Sequence, residues 1–145
     1  MKKQFSTALH GQYDSYGKLK VKRFFMAAYG IYLLENPDRY AVDMIAYKDG
    51  KKLGYVEVEV REAWADNEFP FETLHIPERK VKLLKNDLKT VLVSVNKIGT
   101  RAFLCDGEVI LSSPIKERSN KYVAQGEKFY LVDPSKIKLV ELKER

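Results

Sequence analysis

The sequence predicts an α/β domain with a mixed central β-sheet flanked by helices. Two runs rich in Tyr, Val, Ile and Met flank Asp49-Gly50, a strong hairpin signal because the turn requires positive φ. A broadly apolar stretch from about Lys18 to Glu35 has helical spacing. A further strand-like run, Thr90-Val-Leu-Val-Ser-Val-Asn96, follows a connection long enough to cross over and return parallel to the hairpin.

At 145 residues the chain reads as one domain, 1–145, large enough to bury a core. Residues 1–16 read as an irregular arm. Within the helical stretch, Leu19, Lys22, Phe25 or Met26, Tyr29 and Leu33 form one stripe, and Val21, Phe24, Ala28, Ile31 and Leu34 form another. Apolarity this broad predicts a helix buried against the sheet. Its first turns carry Lys18, Lys20, Lys22 and Arg23. Cations there oppose the helix dipole, so the cluster reads equally as a phosphate-binding site or as a basic solvated face.

The hairpin comprises Tyr40–Lys48, a Lys48-Asp49-Gly50-Lys51 turn and a return run Leu53–Arg61. Alternation in the return arm sends Tyr55, Glu57, Glu59 and Arg61 to one face and Val56, Val58 and Val60 to the other. In the first arm Ala41, Asp43, Ile45 and Tyr47 share a face, with Val42, Met44 and Ala46 opposite. A loop of three residues sets Asp43 directly against Glu57, whereas two or four would put them on opposite faces. The Pro37-Asp38 pair lies before the strand and reads as ordinary turn chemistry.

Beyond Arg61, the aromatic stretch with Trp64, Phe69 and Phe71 reads as core or loop anchors in preference to base-stacking groups. His75 to Asp87 predicts a helix with Pro77 at its first position and Val81, Leu84 and Leu88 as its apolar stripe. Arg79, Lys80, Lys82 and Lys85 lie mainly off that stripe and make a second basic cluster. A right-handed crossover then delivers the Thr90–Asn96 strand. Arg101–Cys105 and Glu108–Leu111 around Asp106-Gly107 read as a second hairpin, and 112–121 as a polar loop. Lys128–Val132 and Ile137–Leu142 read as strands, so 113–145 is expected to extend the sheet or make a subunit interface.

Composition removes several function classes. The single cysteine, Cys105, excludes an internal disulfide and a cysteine-based zinc cluster, and its apolar neighbours suit a buried small side chain. His10 and His75 stand far apart, and neither a Gly-rich phosphate loop nor a Gly-x-Ser-x-Gly elbow is present. The amino terminus is too polar for a secretory h-region, and the run from Phe24 to Leu34 is too short to span a bilayer. These features read as a soluble, cytoplasmic protein with no membrane partner. A net charge of +6 favours a polyanionic partner, most simply nucleic acid.

Asp43, Glu57 and Glu59 brought together need a compensating cation, because like charges facing each other on a sheet destabilise it. Oxygen-only ligands suit Mg²⁺ or Mn²⁺. Asp43 followed by Glu57-Val58-Glu59 on the next strand resembles the PD-(D/E)XK nuclease superfamily, across the segment from the preceding helix to the strand after residue 89. The resemblance implies a restriction-endonuclease-like core similar to the small Holliday junction resolvases and phage-type nucleases, cutting DNA with Mg²⁺ or Mn²⁺ and acting as a homodimer. It makes Asp43, Glu57 and Glu59 catalytic, and Asp43, Glu57 and the Val58 carbonyl metal ligands. Glu59 departs from the usual motif lysine, as in some restriction endonucleases that carry Glu. Arg79 or Lys80 would then supply the missing positive charge, with Lys82, Lys18 and Lys22 as further nucleic-acid contacts. Family enzymes often draw another acid from the first helix, where Glu35 is the one available. Two other readings stay open: a solvated sheet face on a non-catalytic nucleic-acid-binding module, and an assembly protein whose basic faces meet an acidic partner.

Overall fold

The computed structural model describes residues 2–118 and 126–142, with side chains from residue 16 onward. Helix α1, Lys2–Tyr29, takes in most of the stretch expected to be an irregular arm. Residues 2–15 lack the apolar stripe that marks a helix in sequence. They also lack proline, and extending an established helix adds one hydrogen bond for each residue fixed. At the other end the helix stops at Tyr29, short of the expected Glu35. Gly30 takes φ +66°, its N–H bonding to the Met26 carbonyl, and turns the chain into β1, Tyr32–Glu35.

Strands β2, Met44–Lys48, and β3, Lys51–Arg61, form the expected hairpin. Their loop is two residues, Asp49 and Gly50, at φ 51° and 76°. A bulge then restores the register: pairing jumps from Tyr47 opposite Lys52 to Ala46 opposite Gly54, leaving Leu53 as the extra residue. The two-residue loop and the bulge together act as a three-residue loop.

After β3 come β4, Leu74–Pro77, a 3-10 turn at Glu78–Lys80, the single-turn helix α2, Val81–Leu84, and β5, Lys89–Asn96. The helix expected from Pro77 is thus cut to about two turns. Pro77 ends a strand, Lys85 is already extended, and Leu88 lies outside the core. Next are β6, Arg101–Asp106, and helix α3, Gly107–Leu111. The second hairpin does not form, because the Asp106 side chain accepts the Glu108 N–H and caps a helix in place of turning a strand. The expected polar loop contains β7, Ile115–Arg118, and its residues 119–121 lie outside the described residues. Strands β8, Glu127–Val132, and β9, Lys138–Glu141, follow.

The architecture is mixed α/β. The main sheet runs β1-β2-β3-β5-β6-β9, antiparallel throughout except for β3 beside β5. A smaller sheet runs β4-β8-β7. Helix α1 covers one face of the main sheet, burying Val21 and Phe25 against Met44, Ala46, Val56, Val58, Val93 and Val95. On the other face Leu92, Phe103 and Cys105 meet Leu74, Ile76, Tyr130 and Val132 of the small sheet, with Trp64, Leu84 and Ile110. Trp64, fully buried beside Phe69 and Phe103, is core, as its sequence context indicated. Among the described residues no helix is long and apolar enough to cross a membrane.

Candidate functional site

The backbone ladder between β2 and β3 ends at Met44 opposite Val56. One step further the strands part, and two carboxylates bridge the gap. The Asp43 N–H donates to Glu57 Oε1 at 3.0 Å, and the Val58 N–H donates to Asp43 Oδ2 at 2.9 Å. The bulge at Leu53 makes this possible, since it puts Asp43 and Glu57 on the same side of the hairpin. Val56 and Val58 meanwhile face α1, as their alternation required.

The remaining oxygen of each carboxylate faces a lysine. Asp43 Oδ1 lies 3.5 Å from Lys18 Nζ, contributed by α1, and Glu57 Oε2 lies 3.9 Å from Lys80 Nζ, contributed by the 3-10 turn. Both are ion pairs, longer than the roughly 2.7–2.9 Å of a tight charge-assisted hydrogen bond. Glu57 is only 6% exposed. Burial and the neighbouring Asp43 charge push its carboxyl up to about 7, against the opposing pull of the Asp43 N–H and Lys80.

Glu59 stands on the same face and also lies 3.9 Å from Lys80 Nζ. Its other oxygen is held by Arg61 Nη2 at 2.8 Å. Arg61 is itself fixed: its Nε donates to Ser94 Oγ, and its guanidinium sits 5.6 Å from the Phe71 ring and 5.5 Å from the Phe103 ring. The arginine at the end of the alternating strand thus anchors the half-buried Glu59. Lys52 lies over the Tyr55 ring.

The basic residues divide. Lys18 and Lys80 converge on the carboxylates. Arg79 is turned away, pairing with Glu127 at 2.8 Å, and Lys22 faces Glu35 at 4.0 Å. Lys82 is exposed on α2, and Glu35 lies on β1. Cys105 takes no part, since burial and Asp106 raise its thiol to about 11, which keeps it protonated at neutral pH.

A hard divalent cation fits this donor set. Asp43 Oδ1 and Glu57 Oε2, the oxygens not taken by the backbone N–H groups, lie at ion-pair distance from Lys18 and Lys80. Among the described residues no three or more His, Cys, Asp or Glu side chains group as a metal site. The chain would therefore supply two carboxylates with the Val58 carbonyl, leaving the rest of the shell to water. That balance suits Mg²⁺ or Mn²⁺. No family model matches the chain, and neither a curated protein nor a solved structure matches it.

Proposed function

We propose that the protein is a metal-dependent nuclease of the PD-(D/E)XK kind that hydrolyses phosphodiester bonds in DNA. The observation that supports this most is the pairing of Asp43 with buried Glu57 at the point where β2 leaves β3, with Lys80 3.9 Å from both Glu57 and Glu59. The order of helix, hairpin, crossover and parallel strand agrees with that superfamily's core. In this reading Lys80 takes over from the absent motif lysine, reaching the same carboxylates from the crossover.

Asp43 and Glu57 would hold the ion with the Val58 carbonyl. Bound Mg²⁺ lowers the pKa of a water and offsets charge developing on the phosphate oxygens. Lys18 beside Asp43, and Lys80 beside Glu57 and Glu59, would attract and orient a phosphate. Glu59, fixed by Arg61, offers its second oxygen to align the attacking water as a base. The water oxygen attacks phosphorus, one ester P–O bond breaks, and the water proton leaves by way of Glu59.

The test is cleavage of labelled single-stranded, duplex and four-way-junction DNA in Mg²⁺, Mn²⁺ or EDTA, by the wild type, Glu57→Ala and Lys80→Met. The expected result is cutting that depends on the metal, disappears in Glu57→Ala and falls about 100-fold or more in Lys80→Met, the scale on which electrostatic contributions to a transition state are lost. Tight, salt-sensitive binding with no cutting in either metal would replace the nuclease with a non-catalytic binding module.

A further inference from the structure

The face of the main sheet that carries Glu57 continues past the carboxylates toward the hairpin turn. Asp43, Ile45 and Tyr47 share one side of β2, and the register carries that side to Leu34 and Tyr32 on β1 and to Tyr55 and Lys52 on β3. Moving away from the site, the rows are Asp43 with Glu57, then Leu34, Ile45 and Tyr55, then Tyr32, Tyr47 and Lys52. Helix α1 packs on the opposite side, and the small sheet packs over Leu92, Phe103 and Cys105 of β5 and β6. Tyr32 is accordingly 54% exposed and Leu34 44%. With Tyr47, and with Met26 and Gly30 from the end of α1 at the sheet edge, they line an open groove of about 430 Å³ that reaches the Asp49-Gly50 turn.

The turn end of this surface carries three lysines around Asp49, and Asp87 accepts from the Tyr55 hydroxyl at 2.7 Å. Lys48 and Lys51 are exposed at the turn, and Lys52 Nζ sits 4.6 Å from the centre of the Tyr55 ring. The exposed Tyr32 beside the half-buried Tyr47, bordered by lysines, provides the two contacts that a single strand of nucleic acid needs: rings for unpaired bases to stack on and cations along the phosphates. A duplex keeps its base faces stacked inside and would meet only the lysines.

We propose that this face is a binding platform for single-stranded DNA, on which Tyr32 and Tyr47 stack bases while Lys48, Lys51 and Lys52 hold the backbone. The platform runs directly into Asp43 and Glu57. That it feeds a cleavage site rests on the nuclease reading; the platform itself stands on the sheet face alone.

Binding is measured by fluorescence anisotropy in EDTA, so that cutting plays no part, using a short labelled oligonucleotide as a single strand and as a duplex. The wild type is expected to prefer the single strand. Tyr32→Leu and Tyr47→Leu are each expected to weaken single-strand binding about tenfold, within the range of one base–aromatic stack, while duplex binding stays unchanged. Tyr47→Phe should restore it, and melting curves confirm that the variants are folded. Equal affinity for duplex, or leucine variants that bind the single strand like wild type, would overturn the platform. Sedimentation showing a dimer that Tyr47→Leu dissociates, with single-strand binding unchanged, would assign the face to a second copy instead. The two proposals fail separately: tyrosine-dependent binding without cleavage in Mg²⁺ removes only the nuclease, and cleavage without tyrosine dependence removes only the platform.

Discussion

Glu57 is the residue at which burial, charge and function meet. Its carboxyl is raised from an ordinary 4.5 to about 7, first by burial and then by the Asp43 charge. The folded chain therefore binds more protons than the unfolded chain between those values. The associated stability is fully present below about pH 4.5 and is lost as pH rises to about 7, by up to about 3 kcal/mol at 1.36 kcal/mol per pH unit. Urea unfolding in EDTA across that window should show the decline, and Glu57→Gln should flatten it. Saturating Mg²⁺ should reduce the slope, since a bound cation favours the ionised carboxylate; an unchanged slope would argue against metal binding at Glu57. The pairing of Asp43 with Glu57 was legible because strand alternation and an Asp-Gly turn leave few registers. Lys80 and Arg61 were less so. The reach of Lys80 depends on how a crossover folds back, and the burial of Arg61 depends on Phe71 and Phe103 arriving from elsewhere in the chain. Lys20 makes the same point: counted among the basic cluster, it is 8% exposed and donates to the Gly99 carbonyl at 2.7 Å.

At the scale of elements, the strongly patterned segments were legible and the punctuation between them was ambiguous. The β2–β3 hairpin and β5 carry dense β-branched runs that admit one reading. Asp-Gly, by contrast, makes a positive-φ turn at Asp49-Gly50 and a helix cap at Asp106-Gly107, and local sequence does not separate the two uses. The β2–β3 bulge is a similar case, because it depends on the neighbour that β3 receives. Gly54, the residue just after Leu53, lies against β5, where an added Cβ would overlap the Lys89 carbonyl oxygen. Backbone cannot yield as a flexible side chain can, so Gly54→Ala must push β5 away from β3. The expected loss of stability is about 3 kcal/mol, the upper end of overpacking effects, read from the urea midpoint. Activity should fall further than stability alone explains, because Glu57 lies three positions along the displaced strand. A variant with wild-type stability would show that the contact between Gly54 and Lys89 is looser than the structure implies.

On the scale of the whole molecule, β5 and β6 each face two cores, β6 through Ala102 on one side and Phe103 and Cys105 on the other. Val93 and Val95 belong to the core under α1, whereas Leu92 belongs to the core that contains Trp64. A strand cannot leave one core and remain in the other, so the two are expected to unfold together. Phe25, 5% exposed on α1, makes no part of the Trp64 core. Phe25→Ala should therefore destabilise the protein by about 3–5 kcal/mol, as aromatic truncations in cores do. The transition seen by Trp64 fluorescence should shift by the same amount as the one seen by far-ultraviolet circular dichroism. Separated transitions, with fluorescence holding its wild-type midpoint, would make the small sheet an independently stable unit. The outcome bears on the site as well, because its parts come from both sides of the sheet. Lys18 reaches Asp43 from α1, and Lys80 reaches Glu57 from the turn beside the small sheet. If β5 and β6 couple the cores, loosening α1 should displace both lysines from the carboxylates at once.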